Sequence, residues 1–232
     1  IAIRLGTEEY GDVLMLPNVV PSNEFADYFE PLGTVDELSA KYKKEFLTAK
    51  ISDGIVYGLA SNANAQGIVY NKKVFANAGI TELPKTPEEF LEALRKIKEN
   101  TDAIPYYTNF AAGWTLTAWE DHAWGSITGD ADYHNNKIVH EPDPFSEGKP
   151  HYTLYKLMYD IVKQGLCEED PVTTDWEKSK VMINNGEIGS MLLGSWAISQ
   201  MQGAGEHPED IGYMAFPYNI DGKQYATAGA DY

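Results

Sequence analysis

The sequence contains a single cysteine, Cys167, among its 232 residues. One cysteine excludes a disulfide within the chain, and the Cys and His residues lack the spacing of a structural zinc site. A reactive thiol would need a nearby His or a helix N-terminus to lower its pKa. We therefore interpret Cys167 as a small core residue and expect neither a metal ion nor a cofactor.

Long apolar runs are also missing. No stretch approaches the roughly 18 apolar residues that a membrane span needs. The chain does not begin with Met, and its first residues lack the charged and apolar regions of a secretory signal. We expect an internal piece of a longer protein, incomplete at both termini.

Basic residues are scarce: 18 Lys and Arg stand against 35 Asp and Glu, which gives a formal net charge of -17. A field of this sign repels phosphate backbones and anionic lipid head groups. Nucleic acid and membrane surfaces are therefore excluded as direct partners, and a neutral or cationic small molecule fits better. With 43% hydrophobic residues the chain can bury a large core.

Catalytic motifs are absent as well, including the G-x-S-x-G elbow, the phosphate loop, G-x-G-x-x-G and H-E-x-x-H. The segment WEDHAW offers Glu120 and Asp121 beside His122. Glycoside hydrolysis uses two carboxylates, although adjacent acids on a helix point to different faces. Nearby His134, His140 and His151 fall in or beside a polar stretch, where we expect solvated loop histidines.

Capped helical segments alternate with short apolar runs, which is typical of βα units and a largely parallel sheet. The strongest helix signal is TPEEFLEALRKIKEN, with Thr86 as N-cap and Pro87 at the first position. Asn71 is the predicted N-cap of a second helix, and a further helix is predicted to begin at Asp175.

Four other segments carry specific expectations. DVLML (residues 12–16) and IGSMLLG (188–194) predict buried strands. NANAQ (62–66) predicts a polar crossover between two strands. Thr34 and Glu37 form a capping box that begins a predicted amphipathic helix over residues 34–49.

A large indole follows the strand over residues 188–194. Trp196 comes directly after Ser195, a predicted N-cap, and ligands of open α/β sheets bind where strand ends meet helix N-termini. By the same reasoning we select further candidate ligand-binding residues: Asn18, Asn64, Gln66, Trp114, Trp119, Asp231 and Tyr232. Flat aromatic faces with amide and carboxylate groups suit a sugar, which has apolar C–H faces and a rim of hydroxyls. Core packing is the competing explanation for any one tryptophan.

Three segments carry a family resemblance. YGLASNANAQGIVYNKKVFANAGITELPKTPEEFLEALRKIK resembles the central signature of the extracellular solute-binding proteins of ABC importers, in the sugar-binding group that includes maltose-binding protein. NNGEIGSMLLGSWAISQ is similar to the segment of that family that ends in G-x-W. GYMAFP followed by TAGADY is similar to its return strand into the first lobe.

The resemblance implies an α/β, two-lobed periplasmic-binding-protein-like fold with crossover hinge strands. Residues 1–64 would form part of the first lobe, 65–221 the second, and 222–232 the return strand into the first. The ligand would bind in the interlobe cleft, with Trp196 stacked on a sugar ring, Trp114 as a second stacking residue and Asp231 as a hydroxyl acceptor.

The resemblance also implies the function. We expect the solute-binding component of an ABC transporter, a monomer that captures a mono- or oligosaccharide and delivers it to a membrane permease without performing chemistry. It would act outside the cytoplasmic membrane, as an anchored lipoprotein or in the periplasm. Two alternatives stay open: a glycoside hydrolase that uses Glu120 and Asp121, and a binding protein for a non-sugar solute such as a polyamine or a peptide.

Overall fold

The structure, a computed structural model, describes residues 11–16 and 19–232. The chain divides into two compact units. The first comprises the described residues up to Asn64 together with Gly229–Tyr232, and the second is Ala65–Ala228. No helix of the described residues is long and apolar enough to cross a membrane.

The predicted return at residue 222 lies earlier in the chain than the observed one, because residues 222–228 belong to the second unit. Thr227 explains the difference. Its carbonyl oxygen accepts a hydrogen bond from the Gln66 N–H at 2.8 Å. Its hydroxyl accepts from the N–H groups of Gly125 at 3.0 Å and Ser126 at 3.2 Å. These bonds hold the segment to the second unit.

The first unit contains short elements. Its helices and strands are α1 (Phe25–Tyr28), β1 (Gly33–Thr34), α2 (Val35–Leu38), β2 (Ile51–Ser52) and β3 (Ile55–Val56). β3 pairs antiparallel with both β1 and β2. The predicted strand over residues 12–16 is wrong: that segment has no strand pairing, and its Leu16 N–H donates to the Tyr232 carbonyl at 2.6 Å.

The helix predicted over residues 34–49 ends at Leu38. The capping box between Thr34 and Glu37 is confirmed, with hydrogen bonds in both directions. The continuation fails because the predicted apolar stripe is not buried: Tyr42 is exposed and Leu38 is half-buried. A short helix without a buried face gains little stability from packing.

A long strand, β4 (Asn62–Asn71), leads into the second unit, whose other elements follow in chain order. They are α3 (Lys72–Asn77), α4 (Pro87–Asn100), β5 (Ile104–Tyr106), α5 (Trp114–Thr117), α6 (Gly125–Thr128), α7 (Pro150–Lys163), α8 (Trp176–Asn184), β6 (Ile188–Gly194), α9 (Ala197–Gln202) and β7 (Ile211–Met214). β8 (Ala228–Asp231) begins at the last residue of the second unit and otherwise belongs to the first. The sheet order is β5-β6-β4-β7, and β8 also pairs with β4.

The sheet is not largely parallel. β5 and β6 are parallel, whereas β4 runs antiparallel to both β6 and β7. The alternation of strands and helices in the sequence predicts the elements themselves. It does not determine whether two paired strands run parallel or antiparallel. The predicted polar crossover over residues 62–66 is likewise part of β4. The polar side chains of this segment, Asn62, Asn64 and Gln66, are exposed or half-buried, although the strand backbone is paired.

The predicted helix caps at Asn71 and Thr86 are confirmed, and the helix predicted from Asp175 begins at Trp176 with Asp175 as its N-cap. The side chains of Asn71, Thr86 and Asp175 accept hydrogen bonds from the N–H groups three residues later, at 2.9, 3.2 and 3.0 Å. Each bond satisfies one of the N–H groups that a helix start leaves without a partner. α4 buries an apolar face formed by Phe90, Leu91, Leu94 and Ile97, and every residue of β6 is buried as predicted. The sheet and helices thus fix the carboxyl end of β6, where the candidate site lies.

Candidate functional site

Three tryptophans contact one another beyond the carboxyl end of β6. The ring centroids of Trp114 and Trp176 are 4.9 Å apart, and both lie within 6 Å of the Trp196 centroid, at 5.6 and 5.8 Å. Trp114 is 39% exposed, and the other two rings are half-buried. We call these three residues the indole cluster. It presents aromatic surface that no described side chain covers completely.

Each indole occupies the start of a helix. Trp114 begins α5, directly after Gly113, whose φ of 65° lies in the left-handed region favoured by glycine. Trp176 begins α8, whose N-cap is Asp175. Trp196 is itself the N-cap residue of α9. Three helix starts therefore converge and bring their first aromatic side chains together.

The predicted N-cap role of Ser195 is wrong. Its hydroxyl accepts a hydrogen bond from the Ala65 N–H at 3.2 Å, and its N–H donates to the Ala65 carbonyl at 2.8 Å. α9 begins at Ala197 without a side-chain cap. Ser195 therefore extends the contact between β6 and β4 by one residue and fixes the position of the following Trp196.

A glycine separates the indole from an amide. Gly194 pairs with Gln66 across β6 and β4. A Cβ added at Gly194 would lie 2.4 Å from Nε1 of Trp196 and 3.1 Å from Oε1 of Gln66. The absence of a side chain thus lets the indole and the amide approach the strand together. The structure brings together three of the predicted site residues: Trp196, Trp114 and Gln66.

Trp176 was not predicted from the sequence as a site residue. The available signal was its position immediately after the N-cap Asp175, which is the argument that selected Trp196. Lys180 lies one turn later, with its ammonium nitrogen 4.9 Å from the Trp176 ring centroid. The same ammonium donates to both carboxylate oxygens of Glu177 at 2.9 Å, so this edge of the cluster carries an ion pair.

Trp119 is a correction to the predicted set. Its side chain is 1% exposed and belongs to the main core of the second unit, where it packs against Tyr106 at 5.7 Å between ring centroids. The strand-end rule selected it because it follows β5 in sequence. The turn after β5 directs it inward, so a ligand has no access to its ring.

The remaining predicted residues belong to the first unit or lie outside the described residues. Asp231 is exposed, and its carbonyl oxygen accepts a hydrogen bond from the Ser61 N–H at 2.7 Å. Tyr232 packs against Leu16 and lines a cavity of about 330 Å³ within that unit. The Asn64 amide donates to Asn62 Oδ1 at 3.3 Å. Asn18 lies outside the described residues.

The acidic pair considered for catalysis has structural partners. Glu120 is hydrogen-bonded to His151 Nε2 at 2.8 Å and accepts from the Tyr155 hydroxyl. Burial raises the pKa of Asp121, and the neighbouring Glu120 raises it further. The expectation that His151 is a solvated loop residue is wrong, because its side chain is buried at the start of α7. Through these two hydrogen bonds Glu120 connects the turn after Trp119 with α7.

Possible metal ligands come together at one place in the described residues. His207, Glu209 and Asp210 each offer a ligand atom within 4.8 Å of the others. They are exposed or half-buried, and exposed acidic groups commonly cluster in this way without an ion. This group lies at the turn before β7, and none of its residues belongs to the indole cluster.

Comparison with known proteins identifies a matching family and related sequences. The family model for bacterial extracellular solute-binding proteins matches residues 5–232. The multiple sugar-binding protein of Streptococcus mutans is 27% identical over 238 residues, which cover 95% of this chain and 54% of that protein.

Two solved structures from Bifidobacterium animalis subsp. lactis are similar over the whole chain. One is a manno-oligosaccharide specific solute binding protein in complex with mannotriose, with 45% identity and a TM-score of 0.90, of which 55% is covered. The other is a binding protein of an ABC transporter in complex with mannotriose, with 47% identity and a TM-score of 0.89, of which 56% is covered. The chain thus spans about half the length of the relatives it matches.

Proposed function

The chain belongs to the bacterial extracellular solute-binding protein family, and we propose that the protein captures an oligosaccharide for import by an ABC transporter. The observation that carries this proposal is the indole cluster. Aromatic faces stack on the apolar C–H faces of a sugar ring, and amide groups such as that of Gln66 exchange hydrogen bonds with its hydroxyls. The cluster supplies the faces, and the neighbouring amide supplies donors and an acceptor.

A neutral ligand fits the cluster better than a cationic one. The net charge of -17 would attract a polyamine, and aromatic faces bind cations. The ammonium group of Lys180, however, already lies 4.9 Å from the Trp176 ring centroid. This ammonium, paired with Glu177, already occupies the cation position at the Trp176 ring, whereas a sugar needs no such position.

We place the ligand among manno-oligosaccharides. Two relatives that share 45% and 47% identity with this chain over essentially its whole length hold mannotriose in their structures. A neutral oligosaccharide of this kind also suits the aromatic faces and the Gln66 amide at the indole cluster.

The protein would bind its ligand without chemical change. Glu120, the better candidate for a catalytic acid, is hydrogen-bonded to buried His151 and to Tyr155. These contacts give its carboxylate a structural role. The relatives found are binding proteins. By the family's extracellular character we further propose a monomer that works outside the cytoplasmic membrane, lipid-anchored or periplasmic, and delivers its ligand to a membrane permease.

Isothermal titration calorimetry against mannobiose, mannotriose, maltotriose, spermidine and a tripeptide tests this proposal, with the products of each incubation analysed by chromatography. We expect saturable binding of a manno-oligosaccharide with a Kd on the order of micromolar, about -8 kcal/mol, and no new product. Binding of spermidine or peptide alone would contradict the proposal. So would turnover of a saccharide that is abolished in Glu120→Gln.

A further inference from the structure

One carboxylate joins the two loops that lead to Trp114 and Trp176. Residues 107–114 follow β5 and end at the first of these indoles, and we call them the Trp114 loop. Residues 166–176 end at the second indole, and we call them the Trp176 loop. Both loops belong to the second unit. Glu168 is a half-buried residue near the start of the Trp176 loop, and its side chain contacts the other loop.

Three donor groups of the Trp114 loop converge on the Glu168 carboxylate. The Thr108 N–H donates to both carboxylate oxygens, at 2.9 and 3.0 Å. The Thr108 hydroxyl donates to Oε1 at 2.5 Å, and the Asn109 N–H donates to the same oxygen at 3.1 Å. Successive backbone N–H groups that point to one side form a concavity for an anion, and hydrogen bonds to a carboxylate are stronger than those between neutral groups. Glu168 thus fixes the start of the Trp114 loop.

The conformation of Asn109 shows why this loop needs an anchor. Its backbone lies in the left-handed region, with φ 55° and ψ 34°, which a residue with a side chain occupies only when its surroundings hold it there. Glu168 binds its N–H, and the Thr115 hydroxyl donates to its carbonyl oxygen at 2.7 Å. Thr115 directly follows Trp114. The turn is therefore fixed by Glu168 on one side and by the neighbour of the indole on the other.

Further bonds connect the two loops closer to the rings. The Ala111 N–H lies 3.2 Å from both the Pro171 carbonyl oxygen and the Thr174 hydroxyl oxygen. Both acceptors are uncharged, so these bonds are weaker than those to the carboxylate. The loops then reach Trp114 and Trp176, whose rings meet edge to face with an interplanar angle of 83°. The position of one loop relative to the other therefore sets the contact between these two indoles.

We propose that Glu168 is a positioning residue for sugar binding: it holds the Trp114 loop against the Trp176 loop and so sets the geometry of the two indoles. This role rests on the proposed function, because the indole cluster is the surface on which the sugar would stack. Glu168 acts through the rings and does not itself contact the ligand. Loss of its carboxylate should therefore change ring geometry and sugar affinity together.

Three variants test this role. Glu168→Gln keeps the length of the side chain but replaces one acceptor oxygen with an NH2 group, which cannot accept from the Thr108 N–H. Thr108→Val is milder, because it removes the hydroxyl bond and keeps the backbone bonds. Glu89→Gln is the matched control: it makes the same change of charge at a carboxylate that accepts from the Lys85 N–H at 2.7 Å, outside the indole cluster. Urea denaturation establishes that each variant is folded.

The first measurement is far-ultraviolet circular dichroism of the ligand-free protein. Indole rings in contact couple their electronic transitions and give paired bands of opposite sign. We expect these bands to weaken in Glu168→Gln, to weaken less in Thr108→Val, and to stay unchanged in Glu89→Gln. Trp114→Ala gives the reference spectrum, because it removes one of the contacting rings.

The second measurement is calorimetry with mannotriose in two backgrounds. In the wild type, Glu168→Gln should weaken binding about 10-fold, the effect of losing one hydrogen bond to a charged group. In Trp114→Ala the same substitution should weaken binding much less, because the ring through which Glu168 acts is absent. Residues that act through one contact show this non-additivity, whereas independent residues have equal effects in both backgrounds. Glu89→Gln should bind mannotriose like the wild type.

The remaining outcomes separate this role from the proposed function. Unchanged bands or unchanged affinity in both Glu168→Gln and Thr108→Val would overturn the positioning role and leave the proposed function standing. An equal loss of affinity in both backgrounds would also overturn it, since Glu168 would then act without Trp114. If Glu168→Gln does not fold, Thr108→Val decides by the same criteria. If the wild type binds no carbohydrate, the proposed function fails and the positioning role fails with it.

Discussion

The indole nitrogen of Trp196 lies against the bare Cα of Gly194: a Cβ at that glycine would come within 2.4 Å of Nε1. Gly194 is fully buried in β6 and is paired with Gln66 in β4. Because this pairing fixes the strand, a side chain at position 194 would have to displace the Trp196 ring. The position of the indole therefore depends on glycine at this site. The surface at the end of β6 thus depends both on the indole rings and on the absence of a side chain at Gly194.

Gly194→Ala is expected to displace the Trp196 ring. The added methyl group overpacks the strand, which costs about 1–3 kcal/mol of unfolding free energy, and the loss of ring position weakens mannotriose binding by at least about 10-fold. Urea denaturation and calorimetry measure the two effects. Gly229→Ala is the control, because nothing lies within 4 Å of a Cβ at that position. Full affinity in Gly194→Ala would show that the ring position is not critical.

Asp175→Ala tests whether a helix start positions an indole. Loss of the N-cap bond to the Lys178 N–H removes about 1 kcal/mol of stability and loosens Trp176, so we expect sugar affinity to fall several-fold. Thr86→Ala is the matched variant, since it removes the cap of α4 at similar cost but lies outside the cluster. The two variants should lose similar stability in urea denaturation, whereas calorimetry should show reduced sugar affinity only in Asp175→Ala. Equal affinity would argue against a role for the start of α8.

Trp119 and Trp114 lie five positions apart in sequence but should behave oppositely. Trp119→Ala removes a ring from the core and is expected to lower the unfolding free energy by about 3–5 kcal/mol. Trp114→Ala removes a ring that is 39% exposed, and we expect a much smaller stability change with a marked loss of sugar affinity. Urea denaturation of both variants, together with calorimetry of Trp114→Ala, checks this contrast. A large stability loss in Trp114→Ala would assign that ring to the core.

His122 predicts how stability depends on pH. Its ring is buried, stacks on Phe216 at 4.4 Å and bonds to Ser126 through Nδ1. Burial lowers its pKa from 6.5 to about 3, so the folded protein keeps it neutral while the unfolded chain takes up a proton below about pH 6.5. Stability is therefore fully present above that pH and is lost as the pH falls toward 3.

His122→Gln is expected to reduce this acid sensitivity. A group with these two pKa values contributes a slope of about 1.4 kcal/mol per pH unit, or about 2 kcal/mol between pH 6.5 and pH 5. Urea denaturation of wild type and variant over pH 5 to 8 measures the slopes. The wild type should lose more stability than the variant as the pH falls. Parallel curves would mean that His122 is protonated in the folded state.

The sequence predicted those features that depend on neighbouring residues. The caps at Asn71 and Thr86 each need one hydrogen bond across three residues, so the residue types alone indicate them. The buried strand β6 follows from its unbroken apolar run. The family resemblance, carried by local segments, is confirmed by the match over residues 5–232.

Features that depend on distant pairing were not predictable in the same way. The pairing of Gln66 with Gly194 joins residues far apart in the chain, and it sets both the direction of β4 and the position of the site. Thr227 returns to Gln66 and so extends the second unit beyond the predicted boundary. Trp119 and Trp114 have similar sequence surroundings, and the turn between them decides which one enters the core.

Calorimetric titration of mannotriose into Trp196→Ala, beside the wild type, tests the account most directly. Trp196 contacts both other indoles and lies at the end of β6, so its loss should weaken binding by more than about 100-fold, or about 3 kcal/mol, while the urea midpoint stays near that of the wild type. An unfolded variant, checked against Trp196→Phe, would identify the ring as structural. A folded variant that binds mannotriose as tightly as the wild type would contradict the account.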